Sequence, residues 1–240
     1  MIKITNCAGS LGDCLSLTPL FKKERGVVTM LRNPVTENIL SRVYDGIADV
    51  EFVDTPVAPC PETNDNVCFS QRVLNHFGIQ DVSAIPLINV TSEEAEWAKE
   101  FLKDYTSPVA FNRTVGKPSD HPLAKYRQIP KDVAETALRK LVSYGHTPLH
   151  FGLSANYEPI ENCVPILDLP IRQFCACYRV IQQYVGADTG DYHLMLAVGG
   201  RCYVFVPPSV WHYNHERTLY FDYAWKNEPN RVEYYQFNAL

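Results

Sequence analysis

Residues 182–206 read QQYVGADTGDYHLMLAVGGRCYVFV, and the order of residue types in this stretch decides the architecture. A β-prone run, QQYVGA, gives way to a polar loop. DYHLMLAVGG then reads as a short apolar helix closed by glycines, and RCYVFVPP returns as a strand. Strand, loop, helix, strand is one turn of a parallel α/β layer, because parallel neighbours need a crossover and a helix is its usual form. Between the first strand and the helix lie Asp188, Thr189, Gly190 and His193. An acid, a hydroxyl, a flexible residue and an imidazole at that junction make a polar cup where free backbone amides point outward.

The same alternation runs through the rest of the chain. IKIT, GVVTML and DVEFV are β-rich runs, separated by LSLTPLFKKE and by PVTENILSRVYDG, a helix opened by Pro34 and closed by Gly46. DTPVAPCPETND is a proline-rich loop. VCFSQRVLNHFGI is helical up to Gly78, AIPLINV is strand-like, and TSEEAEWAKEFLKDY opens with a capping box in which Ser92 is the expected cap. At SPVAFN the cycle restarts: a strand, the helix IPKDVAETALRKLVSYG, the strand TPLHFG and the helix PIRQFCACYRV lead into the opening stretch. The expected fold class is therefore α/β, with two Rossmann-like parallel-sheet lobes and a cleft between them. The short N-terminal lobe covers 1–105 and the C-terminal lobe 106–240. After Pro208 the chain is aromatic and carries no assignable pattern.

Ligands of open parallel sheets bind beyond the carboxyl ends of the strands. Three loops are expected to wall such a cleft: NCAGSLGDC, FNRTVGKP and GADTGDYH. There is no GxGxxG and no GxxxxGK[ST], which removes the main support for hydride-transfer cofactors and P-loop nucleotide hydrolysis. The formal charge of −5 and the pI near 5.8 supply no field that would gather nucleic acid. The chain has no long apolar run, and its N-terminus lacks a signal-peptide pattern, so it reads as cytoplasmic and unanchored. Its eight cysteines form no CxxC pair and read as small buried residues rather than disulfides or metal ligands.

LGDCLSLTPLFK, with strands on either side, resembles the opening of the ADP-heptose:lipopolysaccharide heptosyltransferase family, glycosyltransferases of GT-B fold. HFGI followed by IPLINVTSEEAEWAKEFL resembles the end of that family's first domain and its linking helix. VGADTGDYHLMLAVGGRCYVFVPPS is similar to its nucleotide-binding strand, its D-[ST]-G-x-x-H-L loop, and the helix and strand that follow. The similarity covers about residues 2–53 and 75–208, and the motifs occur in the family's order.

The resemblance implies inverting, metal-independent transfer of a sugar from a nucleotide-diphosphate donor to a hydroxyl acceptor, a glycan or glycolipid, with no further cofactor. Such a reaction needs a carboxylate to take the acceptor's proton and amides or cations to stabilise the departing diphosphate. Asp13 matches the family's base and reads equally as a helix cap. Gly12, Thr189 and Gly190 match the loops that contact phosphate. His193 matches the histidine that follows, and reads equally as a core imidazole. Asp188 belongs to the same donor-binding set and reads as a loop-organising carboxylate rather than a base, and Asp191 is an extra acid at the helix start that favours the dipole and competes with an anionic ligand. Arg113, Lys125 and Arg127 are the expected donor-side cations. Lys117 is a weaker candidate, and solvated surface charge is the alternative for all four. Glu158 stands where the family holds ribose, with a solvated loop acid as the other reading. Trp211, Tyr213, Tyr220 and Trp225 are candidates to stack on a sugar or base, or core aromatics. The alternative function, in a different class, is a non-catalytic nucleotide-binding module that retains the cleft.

Overall fold

The computed structural model describes residues 2–6, 11–55, 69–114, 128–206 and 231–236. In chain order the elements are β1 (Ile2–Asn6), α1 (Leu11–Leu17), β2 (Gly26–Leu31), α2 (Pro34–Asn38), β3 (Asp49–Val53), α3 (Phe69–His76), α4 (Ser92–Leu102), β4 (Pro108–Asn112) and α5 (Lys131–Ser143). Then follow β5 (Thr147–Gly152), β6 (Val164–Leu167), α6 (Ile171–Ile181), β7 (Gln183–Ala187), α7 (Gly190–Ala197), β8 (Arg201–Val206) and β9 (Val232–Gln236).

They build two sheets. The first is β1-β2-β3 and the second is β6-β5-β4-β7-β8-β9, and every neighbouring pair in both is parallel. Relabelled from its own first strand, the second sheet has the order 3-2-1-4-5-6 of the doubly wound dinucleotide-binding fold. Its strand order reverses between β4 and β7, so the carboxyl ends of those two strands flank the crevice of the sheet. There the strands approach closely: a side chain at Gly186 would stand 2.3 Å from the Asn112 carbonyl oxygen.

Several elements differ from the expectation, each for a local reason. The helix expected from Pro34 to Gly46 is split into α2 and a 3₁₀ turn, Leu40–Tyr44. The Asn38 amide donates to the Pro34 carbonyl and the Ser41 hydroxyl to that of Glu37, so short polar side chains compete for the helix's own acceptors. The cap of α4 is Thr91 rather than Ser92: its hydroxyl accepts from the Glu94 amide, and the Glu94 carboxylate accepts from the Thr91 amide. AIPLINV is not a strand. Its backbone groups serve as long-range anchors instead, the Leu87 amide donating to the Thr18 hydroxyl at 2.7 Å and the Ile88 amide to the Ala197 carbonyl. Two strands were not anticipated, β6 and β9. Both lie at sheet edges, where the proline inside VPIL costs no ladder bond on the open side.

One buried apolar cluster runs through both sheets, joining Ile4, Val28 and Met30 of the first to Leu149, Tyr184 and Val204 of the second. α4 closes the junction by packing on α6. Arg172 of α6 donates from Nε and Nη2 to the two carboxylate oxygens of Glu94, at 2.8 and 2.5 Å, and from Nη2 to the Asn89 carbonyl.

Candidate functional site

The site begins with β7, whose last residues carry the chain to the crevice. Thr189 is extended, and its hydroxyl accepts the Asp191 amide at 3.2 Å, capping α7. Every described residue of α7 after Gly190 is buried, because its apolar side chains face the core on all sides. The helix ends at Gly199, whose φ of +90° is one that only glycine adopts freely, and a 2.9 Å bond from the Gly200 amide to the Met195 carbonyl closes the last turn. Asp188, Thr189, Asp191 and His193 are all buried, so the polar cup stands inside the molecule.

A second element meets it there. The start of α1 packs on the start of α7, so that a side chain at Gly12 would lie 3.1 Å from His193 Cδ2, and one at Gly190 would lie 3.1 Å from Leu11 Cβ and 3.5 Å from the Gly12 amide nitrogen. Two stretches far apart in sequence, Leu11–Gly12 and Gly190–His193, are thus brought together at their glycines. Asp13 lies in the first turn of α1. Its side chain, like Lys117, Lys125, Arg127 and the aromatics Trp211, Tyr213, Tyr220 and Trp225, is outside the described residues.

The third wall is the end of β4. The Asn112 side chain donates from Nδ2 to Asp191 Oδ2 at 2.5 Å, and its Oδ1 accepts from the Thr114 backbone amide and hydroxyl. The Thr189 hydroxyl donates to the same Asp191 oxygen at 3.2 Å. Asp191 therefore joins the end of β4 to the cap of α7 across the switch point. Burial raises its pKa to about 6, with the Asn112 and Thr189 donors pulling the other way. Behind it, burial holds the Tyr184 and Tyr178 phenols well above their ordinary range, and the charge of Asp191 acts in the same direction. The Tyr184 hydroxyl donates to the Ala187 carbonyl at 2.7 Å, which fixes the turn out of β7.

Arg113 and Glu158, expected on the phosphate and on the ribose respectively, are paired with each other. The Arg113 guanidinium, largely buried, also donates to the Ile129 carbonyl. Successive strand residues point to opposite sides, so Asn112 reaches α7 while Arg113 reaches Glu158. Nearby His150 is held below the usual imidazole range by burial; the Phe111 backbone opposes the shift and the Arg113 charge adds to it. Among the described residues, no three His, Cys, Asp or Glu side chains gather as metal ligands would. Cys14, Cys163, Cys175, Cys177 and Cys202 are buried in the core and form no disulfide.

No family model and no curated protein matches the chain. Solved structures do. A glycosyl transferase of family 9 from Veillonella parvula superposes with a TM-score of 0.65 at 13% identity, over 99% of this chain and 85% of that one. The iron-containing dodecameric glycosyltransferase TibC of enterotoxigenic E. coli gives 0.58 at 16% identity, over 85% of this chain and 57% of TibC. The E. coli heptosyltransferase WaaC with ADP gives 0.55 at 9% identity, over 98% and 92%. The chain has the GT-B fold.

Within this GT-B frame the sequence singled out the α7 loop and the first loop, which the fold unites. It placed FNRTVGKP on the cleft wall but singled out Arg113 there rather than Asn112 and Thr114, passed over Tyr184, and gave Asp191 no partner. FNRT carries the missed signal, since polar residues ending an apolar strand sit at the crevice of a parallel sheet.

Proposed function

We propose that this chain is a glycosyltransferase that moves a sugar from a nucleotide-diphosphate donor to a hydroxyl acceptor, with inversion and without a bound metal. The observation that carries this reading is the meeting of the α1 and α7 starts, glycine against neighbour, at the switch point of a 3-2-1-4-5-6 sheet. An eight-residue helix whose amide end opens there, preceded by Thr189 and Gly190, offers a diphosphate both hydrogen-bond donors and the positive end of a dipole. Likeness to structures of transferases, one of them holding ADP, supports the same substrate class.

Asp13, in the first turn of the helix that faces this loop, is the proposed base. It takes the acceptor's hydroxyl proton as the oxygen attacks the anomeric carbon, the glycosidic bond forms, and the nucleoside diphosphate leaves with its electron pair. Gly12, Thr189 and Gly190 line the departing phosphates, and His193 braces the loop against α1. Arg113 remains a proposed donor-side cation, with Glu158 as its partner or as the ribose acceptor. Lys125 and Arg127 complete the cationic set, and the two lobes, 1–105 and 106–240, divide acceptor from donor.

The test is release of nucleoside diphosphate from ADP-, GDP-, UDP- and CDP-linked sugars in the presence of glycan and glycolipid fractions. One donor is expected to be turned over by the native chain, and Asp13→Ala to lose turnover by at least about a hundredfold with donor binding retained. Undiminished turnover by the variant would remove Asp13 as base. Binding without release by the native chain would favour a binding module.

A further inference from the structure

The carboxylate of Asp191 occupies the place where the proposed ligand's charge would be felt most. It is buried, it belongs to the first turn of α7, and it is held by donors from the two elements that flank the crevice, Asn112 at the end of β4 and Thr189 at the cap. Among the described residues, no lysine or arginine stands against it. Tyr178 from α6 and Tyr184 from β7 carry neutral phenols, Cys202 from β8 a neutral thiol, and Asp188 from the preceding loop another acid. Where α1 packs on α7, its described buried titratable group is the Cys14 thiol, the Asp13 side chain being outside the described residues, and His193 of α7 faces Gly12. Its protonation is set by burial and by two uncharged donors.

We propose that Asp191 couples occupation of this cleft by a diphosphate to the uptake of one proton from solvent by its own carboxylate. The inference rests on the cleft reading above. In the empty cleft the ionised carboxylate stands at the amide end of α7. A diphosphate that takes the same end brings further negative charge against a group already short of solvent, and like charges at short range raise the pKa of the weaker acid. Once protonated, the carboxyl changes from an acceptor-only group to one that can donate, the polarity a phosphate oxygen requires. A buried acid already titrating near pH 6 holds its proton in the complex up to about pH 8 when the diphosphate raises its pKa by roughly two or more, the size of shift that like charge produces at a buried site. Asp191 acts here as a positioning residue that alternates between bracing the loop and yielding to the ligand.

The experiment is calorimetric titration of the full chain with ADP in buffers of different ionisation enthalpy, beside Asp191→Asn, the neutral isostere. ADP's own titration is common to both proteins and cancels in the comparison. At pH 7.5 the native protein is expected to take up close to one proton more per ADP than the variant. Between pH 6 and 8 its affinity is expected to fall about tenfold per pH unit relative to the variant, the slope that uptake of one proton dictates. Asn112→Ala, which removes a donor to the ionised form, shifts the onset of that fall to higher pH. A purely structural role leaves the onset unmoved. Equal proton uptake and parallel pH profiles in native and variant proteins overturn the inference and leave the cleft reading standing. Failure of both folded proteins to bind ADP, GDP, UDP or CDP at any pH overturns the two together.

Discussion

Asp191 shows how one residue carries both a structural and a chemical consequence. Its carboxyl keeps its proton up to about pH 6 in the native state and to about 3.8 in the unfolded chain. Between those values the native protein binds more protons, so the stability this group contributes is complete at low pH and is lost as pH rises through 6. The difference of roughly two pH units corresponds to about 3 kcal/mol. Asp191→Asn is therefore expected to match the native protein near pH 4 and to melt several degrees higher at pH 7.5, read by scanning calorimetry across pH. A constant difference in melting temperature at all pH values would mean that the buried carboxylate is not the titrating group. The sequence marks Asp191 only as an acid at a helix start, because its partner Asn112 lies on another strand and becomes its neighbour only when β4 and β7 pair.

Among the elements, α4 has the clearest mechanical role. Its capping Glu94 is also the acceptor for Arg172 of α6, so a single carboxylate starts the helix and fastens it to the second sheet. The Arg172 side chain is 14% exposed and that of Glu94 26%, which places the pair between a screened surface bridge and a fully buried one. Arg172→Ala is expected to cost about 2 kcal/mol and to raise amide exchange through residues 89–102, leaving β4 and β7 protected. Equal exchange along the whole chain would mean that the helix is held by apolar packing alone. The helices and the buried strands were legible from the sequence, since apolar periodicity and glycine or proline punctuation are local properties. IKIT, GVVTML, SPVAFN and QQYVGA all became strands. AIPLINV did not, because a strand needs a partner ladder and its backbone groups bond across the junction instead. β6 and β9 escaped for the converse reason: a proline and an aromatic run hide edge strands that pairing with β5 and β8 creates.

On the scale of the whole molecule, the switch point of the larger sheet and the meeting of α1 with α7 mark the cleft proposed to hold the donor. The order of motifs along the chain foretold two parallel sheets, whereas the contact of Leu11 and Gly12 with Gly190 and His193, far apart along the backbone, exists only in the fold. The central claim is that the end of β7 and the start of α7 hold a nucleoside diphosphate. The most direct test is a thermal-shift measurement of the full chain with ADP, GDP, UDP and CDP, beside Thr189→Asp, which sets a negative charge in the loop. Because a ligand that binds only the native state raises its melting temperature, one nucleotide is expected to stabilise the native protein by several degrees at saturating concentration and to leave the variant unshifted. An equal shift in the variant, or no shift with any of the four, would contradict the account.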